Sequence, residues 1–86
     1  MRLVAELTLD QLRQIAARCA AATPGPWKSF VEGRDHTSGD NFIRTGAEDM
    51  YLNAGASVED QDFVACARQD IPALVSEVVR LRGWQL

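Results

Sequence analysis

What this chain lacks narrows its chemistry before any motif is considered. It has a single histidine, His36, and two cysteines, Cys19 and Cys66, set 47 positions apart with no CxxC or Cys/His spacing. A zinc site or a redox pair needs such spacing, so buried free thiols are expected, with a disulfide between packed helices as the alternative. No GxSxG, phosphate-loop glycine pattern or HExxH is present, which removes the motifs that announce nucleophilic, nucleotide-hydrolysing and metalloprotease chemistry. Positive charge is also scarce. The formal net charge is −3, and between Gly46 and Asp70 six acids stand against one base, Arg68. Such a surface repels phosphate, so no nucleic-acid partner is expected. Long apolar runs are missing too. Glu6 and Asp10 interrupt the opening MRLVAELTLDQL as a signal core, and nothing later approaches the roughly 20 apolar residues of a membrane span. The expectation is a cytoplasmic protein with no membrane contact.

What is there has an ordinary globular balance, 47% apolar and 24% charged, which predicts a folded chain rather than a disordered one. Its 86 residues form one domain, 1–86, because a core of that size buries only about 60–65% of the unfolded chain's surface. Thr8 with Gln11 reads as a capping box and Leu7 with Leu12 as a hydrophobic staple, so a helix begins at Leu9. Leu9, Leu12, Ile15, Ala16 and Cys19 then share one face. Thr23-Pro24-Gly25-Pro26 ends the helix, since proline has no amide donor and disfavours helical geometry in the residue before it. Trp27 is expected to plug that end.

The runs Trp27–Glu32 and Asn41–Thr45 are aromatic and β-branched and flank GRDHTSGD, which is a hairpin pattern; residues 49–53 are expected to add a third strand. Ser57 with Asp60 caps a second helix, and Glu59, Asp60 and Asp62 suit the positive end of its dipole. Asp70-Ile71-Pro72 resembles a further cap, so the stretch to Arg82 reads as one kinked helix or two successive ones, stopped by Gly83. The predicted class is α+β: an N-terminal helix, a three-stranded antiparallel meander, then the C-terminal helical part, with the helices packed on one sheet face.

Functional groups concentrate in the loop 33–41. Arg34, Asp35, His36 and Asp40, with Arg44 just beyond, are the candidate ligand- or partner-binding residues, because a loop on a rigid hairpin is a usual carrier of binding groups and His36 titrates near neutral pH. The same residue types are what a plain turn requires. Asp35, His36 and Asp40 are too few for a metal site, and nothing calls for a cofactor. A minimal hydrolase would need His36 held against Ser38, Thr37 or a carboxylate; a nucleotide or small-molecule module would use Arg34 and Arg44 as anion contacts. Ala67, Ile71, Leu74, Val78 and Leu81 form a heptad-like seam whose main expected use is core packing, with homodimerisation as an added one. Leu74, Val78, Leu81 and Trp84 are the candidate association surface.

Two blocks carry a resemblance. Ala21-Ala22-Thr23-Pro24-Gly25-Pro26-Trp27 after an alanine-rich helix, followed by Asp62 to Leu74 (DFVACARQDIPAL) and then Glu77 to Arg82 (EVVRLR), is similar to small accessory proteins of phages and other mobile elements, including those labelled Ead-like. The quoted residues make up about a third of the chain. The resemblance implies a phage accessory gene or an integron cassette and a family largely without assigned activity; it carries over no catalytic residue and does not reach GRDHTSGDN. The expected function is therefore a non-enzymatic binding or adaptor protein acting on an unidentified protein partner.

Overall fold

The structure, a computed structural model, describes residues 6–52 and 55–86. The first five residues, which begin the segment read as lacking a signal core, and Asn53, expected to end the third strand, lie outside them. Helix α1 spans Leu9–Ala21 and starts on the anticipated capping box, with Thr8 and Gln11 each bonding the other's backbone amide. Leu12, at the staple position, is buried. The chain leaves the helix at Ala22 in extended geometry and turns through Thr23–Pro26, where the Gly25–Pro26 bond is cis. Trp27 is half-buried beside the end of α1 and donates from its indole nitrogen to the Thr23 carbonyl at 3.1 Å.

Strands β1, Lys28–Phe30, and β2, Phe42–Arg44, pair antiparallel with Ser29 opposite Ile43. Both are shorter than the aromatic runs suggested. Alternation assigns their faces: Ser29 and Ile43 lie toward the helical side, with Ile43 fully buried, while Lys28, Phe30, Phe42 and Arg44 lie on the other. The expected third strand is reduced to one bridge, in which Ile43 and Met50 exchange both backbone bonds at 2.8 Å. Asp49 is a poor strand former, and Thr45 ties the intervening turn to the Glu48 carbonyl and the Ala47 amide, so among the described residues the pairing is limited to that one bridge.

Helix α2, Val58–Arg82, is one continuous helix of 25 residues capped by Ser57 and Asp60 and closed by Gly83 in the left-handed conformation. The Asp70-Ile71-Pro72 signal does not divide it. Pro72 removes the amide that would serve the Arg68 carbonyl, yet the helix runs on past it, with its ring facing the small α1 residues Ala16, Cys19 and Ala20. The expected layering also changes. Among the described residues α1 packs on α2 and not on the strands, so α2 alone rests on the sheet.

α2 presents two stripes. Gln61, Ala65, Arg68, Pro72, Val75 and Val79, at steps of four and three, are buried or half-buried and meet the sheet and α1. The seam expected in the core is the other stripe: Ile71, Leu74 and Leu81 are exposed, the last two by 61% and 67%. Periodicity marked only the seam that proves exposed; the inner face was missed because it carries a glutamine and an arginine. Gln61, 2% exposed, is tolerated there because its amide nitrogen donates to Ser29 Oγ at 2.8 Å and to the Phe30 and Phe42 carbonyls at 3.2 Å. The thiols are free, and Cys66 is exposed rather than buried.

Candidate functional site

The loop that concentrates chemistry in sequence turns most of it inward. Asp35 accepts from the Val31 amide at 2.8 Å, Asn41 from the Glu32 amide at 2.8 Å, and Glu32 from the Gly39 amide at 2.8 Å. Arg34 reaches out of the loop: its two terminal nitrogens contact both oxygens of Asp62 on α2 at 2.9 and 3.0 Å, while Nε contacts Asp35 at 2.9 Å. The Arg34 guanidinium, with a smaller contribution from Ser29, holds the Asp62 carboxyl down at about 2. The Val31 amide, then Arg34, lowers Asp35; Asp62 and then Asp35 raise Arg34. An arginine so engaged is a fastener between loop and helix, not an open anion contact.

His36 Nδ1 accepts from the Ser38 amide at 3.1 Å, which assigns the proton of the neutral ring to Nε2. Ser38 Oγ lies 2.7 Å and Glu32 Oε2 3.6 Å from that same Nδ1. Nε2 is buried without a hydrogen-bond partner among the described residues, and the ring packs against Phe42 at 5.3 Å and Phe30 at 6.4 Å. A serine–histidine–acid relay needs the nucleophile on one ring nitrogen and the acid on the other; here both share one. Asp40 is exposed and joins none of these contacts. Among the described residues no cluster of three His, Cys, Asp or Glu side chains is placed to hold a metal.

Arg44 meets the same two rings that His36 packs against. Its guanidinium stands 4.5 Å over the Phe30 ring, Phe30 stacks on Phe42 at 5.2 Å with planes 8° apart, and Tyr51 tilts against Phe42 at 5.9 Å. Lys28 stands 5.1 Å over Phe30. These ring faces are used by one another and by the cations. The candidate binding residues thus divide: Arg34 ties Asp35 to Asp62 of α2, His36 and Arg44 meet the same Phe30 and Phe42 rings, and Asp40 stands in solvent.

An apolar groove lies elsewhere. Between α1 and α2 runs a groove of about 530 Å³ lined chiefly by apolar side chains, including Leu7, Ile15 and Trp27 on one side and Val64, Ile71 and Leu74 on the other. Val78 lines it as well. Leu81, one heptad on from Leu74, and Phe63, just before Val64, are exposed by 67% and 75%. Trp84 is half-buried, folded back so that Arg82 lies 5.1 Å over its ring, and the next carbonyl, that of Gln85, accepts from Arg13 of α1 at 3.3 Å. Two of the four candidate association residues, Leu74 and Val78, therefore line the groove, Leu81 follows in the same helical register, and Trp84 packs under Arg82 beyond the end of α2.

One arrangement had no clear sequence signal. The Thr23 carbonyl accepts from Arg68 Nε at 2.8 Å as well as from Trp27, while Gln69 accepts from the Trp27 amide at 2.7 Å and donates to its carbonyl at 3.3 Å. A Cβ on Gly25 would come within 3.1 Å of Gln69 Oε1, so a larger residue there would press on the side chain that bonds Trp27. ATPGPW and ARQDIP, distant in the chain, form one latch. Compared with models of known families, with characterised proteins and with solved structures, the chain finds no match in any of the three.

Proposed function

We propose that the chain is a small non-enzymatic association protein that acts by seating an apolar helix of a partner protein in the groove between α1 and α2. The observation that carries this reading is the uncovered stripe on α2: Ile71 and Leu74, 41% and 61% exposed, line an apolar groove, and Leu81, 67% exposed, follows one heptad after Leu74. Scattered exposed leucines are ordinary, but a contiguous row along a groove is the form of a helix-docking surface. The His36 loop supports this choice from the other direction, since its polar groups are engaged with its own backbone and with α2. An adaptor of a phage or other mobile element is the setting that fits the resemblance of the two sequence blocks.

The test is photo-cross-linking in cells that express the full chain, with a benzophenone side chain in place of Leu74 and, as control, of the exposed Glu48. A protein adduct from position 74 and none from 48 is the expected result. No adduct from 74, or equal adducts from both, would remove the groove as a docking surface.

A further inference from the structure

We infer that the occupant of this groove is α2 of a second copy of the chain, running parallel to the first; the inference rests on the docking reading above and names its partner. The seam has the composition that selects such a pair. Counted as heptads, Val64, Ile71 and Val78 take the first apolar position, and Ala67, Leu74 and Leu81 the second. β-branched residues at the first and leucine at the second favour two parallel helices.

The charges flanking the seam select the same direction. Phe63, Asp70 and Glu77 recur every seven residues along one edge, and Arg68, Val75 and Arg82 along the other. Antiparallel copies would set the edge carrying Asp70 and Glu77 against itself, acid to acid. Parallel copies set it against the opposite edge, where Glu77 comes level with Arg82 of the second copy. That opposite edge is also the side on which α1 lies. Arg18 of α1 lines the groove there, and neither it nor Asp70 makes an ion pair among the described residues. Asp70 of one copy therefore faces Arg18 of the other, and Phe63 is carried over the apolar floor.

The packing of the single chain leaves room for this role. Five apolar side chains are buried among the described residues, and the radius of gyration is 15.8 Å, against about 12 Å for a compact chain of this length. Small domains with so little core commonly complete it by oligomerisation.

Native mass spectrometry of the full chain at micromolar concentration should give a dimer. Asp70→Arg should weaken it about fivefold, and Arg18→Asp in the same chain should restore it, as a direct charge pair requires. In a Cys19→Ala, Cys66→Ser background, Leu81→Cys should oxidise to a disulfide-linked dimer, because equivalent seam positions meet in a parallel pair. Circular dichroism checks that each variant is folded; Leu81 is exposed, so its replacement disturbs little core. A monomer overturns the inference, and whether the groove takes some other protein is then read independently from the Leu74 cross-link. A dimer whose mixed Val64→Cys and Leu81→Cys chains join more readily than Leu81→Cys joins itself overturns the parallel arrangement.

Discussion

Single polar side chains hold this molecule together where apolar contacts are few. Gln61 is the clearest case, serving a hydroxyl and two strand carbonyls from a buried position. Gln61→Ala should cost about 2 kcal/mol of unfolding free energy in urea titration, because it strips three acceptors of a partner and leaves a void. Asp62 gives a pH dependence whose direction follows from its lowered carboxyl. The folded value near 2 lies below that of an unfolded aspartate, so the stabilisation from Arg34 is fully present above about pH 4 and is lost as pH falls through 2. The difference in melting temperature between the native chain and Asp62→Asn should shrink over that window. It should shrink with added salt as well, since both partners are more than a third exposed. The role of His36 was not legible at this scale. Its neighbours Asp35, Thr37 and Ser38 suit a turn and a site equally, and only the distances show Ser38 and Glu32 converging on one nitrogen.

At the scale of elements, what was legible is what is local. The caps at Thr8 and Ser57 each involve residues three positions apart, and both helices begin where those pairs stand. The turn that ends α1 is likewise dictated by neighbouring prolines. Non-local choices were not legible: a third strand depended on more than the one pair that Ile43 makes with Met50, and periodicity on α2 marked the stripe that stays exposed, while the one covered by the sheet and α1 was hidden by Gln61 and Arg68. Pro72 misled for a related reason, because its signal reads as a boundary unless the residues facing it are known. Pro72→Ala would restore an amide to the Arg68 carbonyl, a gain of up to about 3 kcal/mol in a helix interior, and would lose ring contacts worth about 1.5 kcal/mol. A net stabilisation of about 1 kcal/mol is expected in denaturant unfolding, with an unchanged helical circular dichroism spectrum.

At the scale of the whole molecule, the open wall of α2 links stability to association. If the groove is closed by a second copy, the melting temperature must rise with protein concentration, and Leu74→Glu should abolish that rise while leaving the low-concentration value close to that of the native chain, since residue 74 is exposed in the single chain. A melting temperature independent of concentration in the native chain would mean that the single chain is the folding unit. The arrangement of contacts has another consequence. Apart from the pairing of β1 with β2, every contact between elements runs through α2, which follows the others in the chain. During synthesis the first helix and the hairpin therefore emerge from the ribosome with nothing to rest on, and a product interrupted before Ser57 would present their apolar sides to chaperones and proteases rather than fold in part.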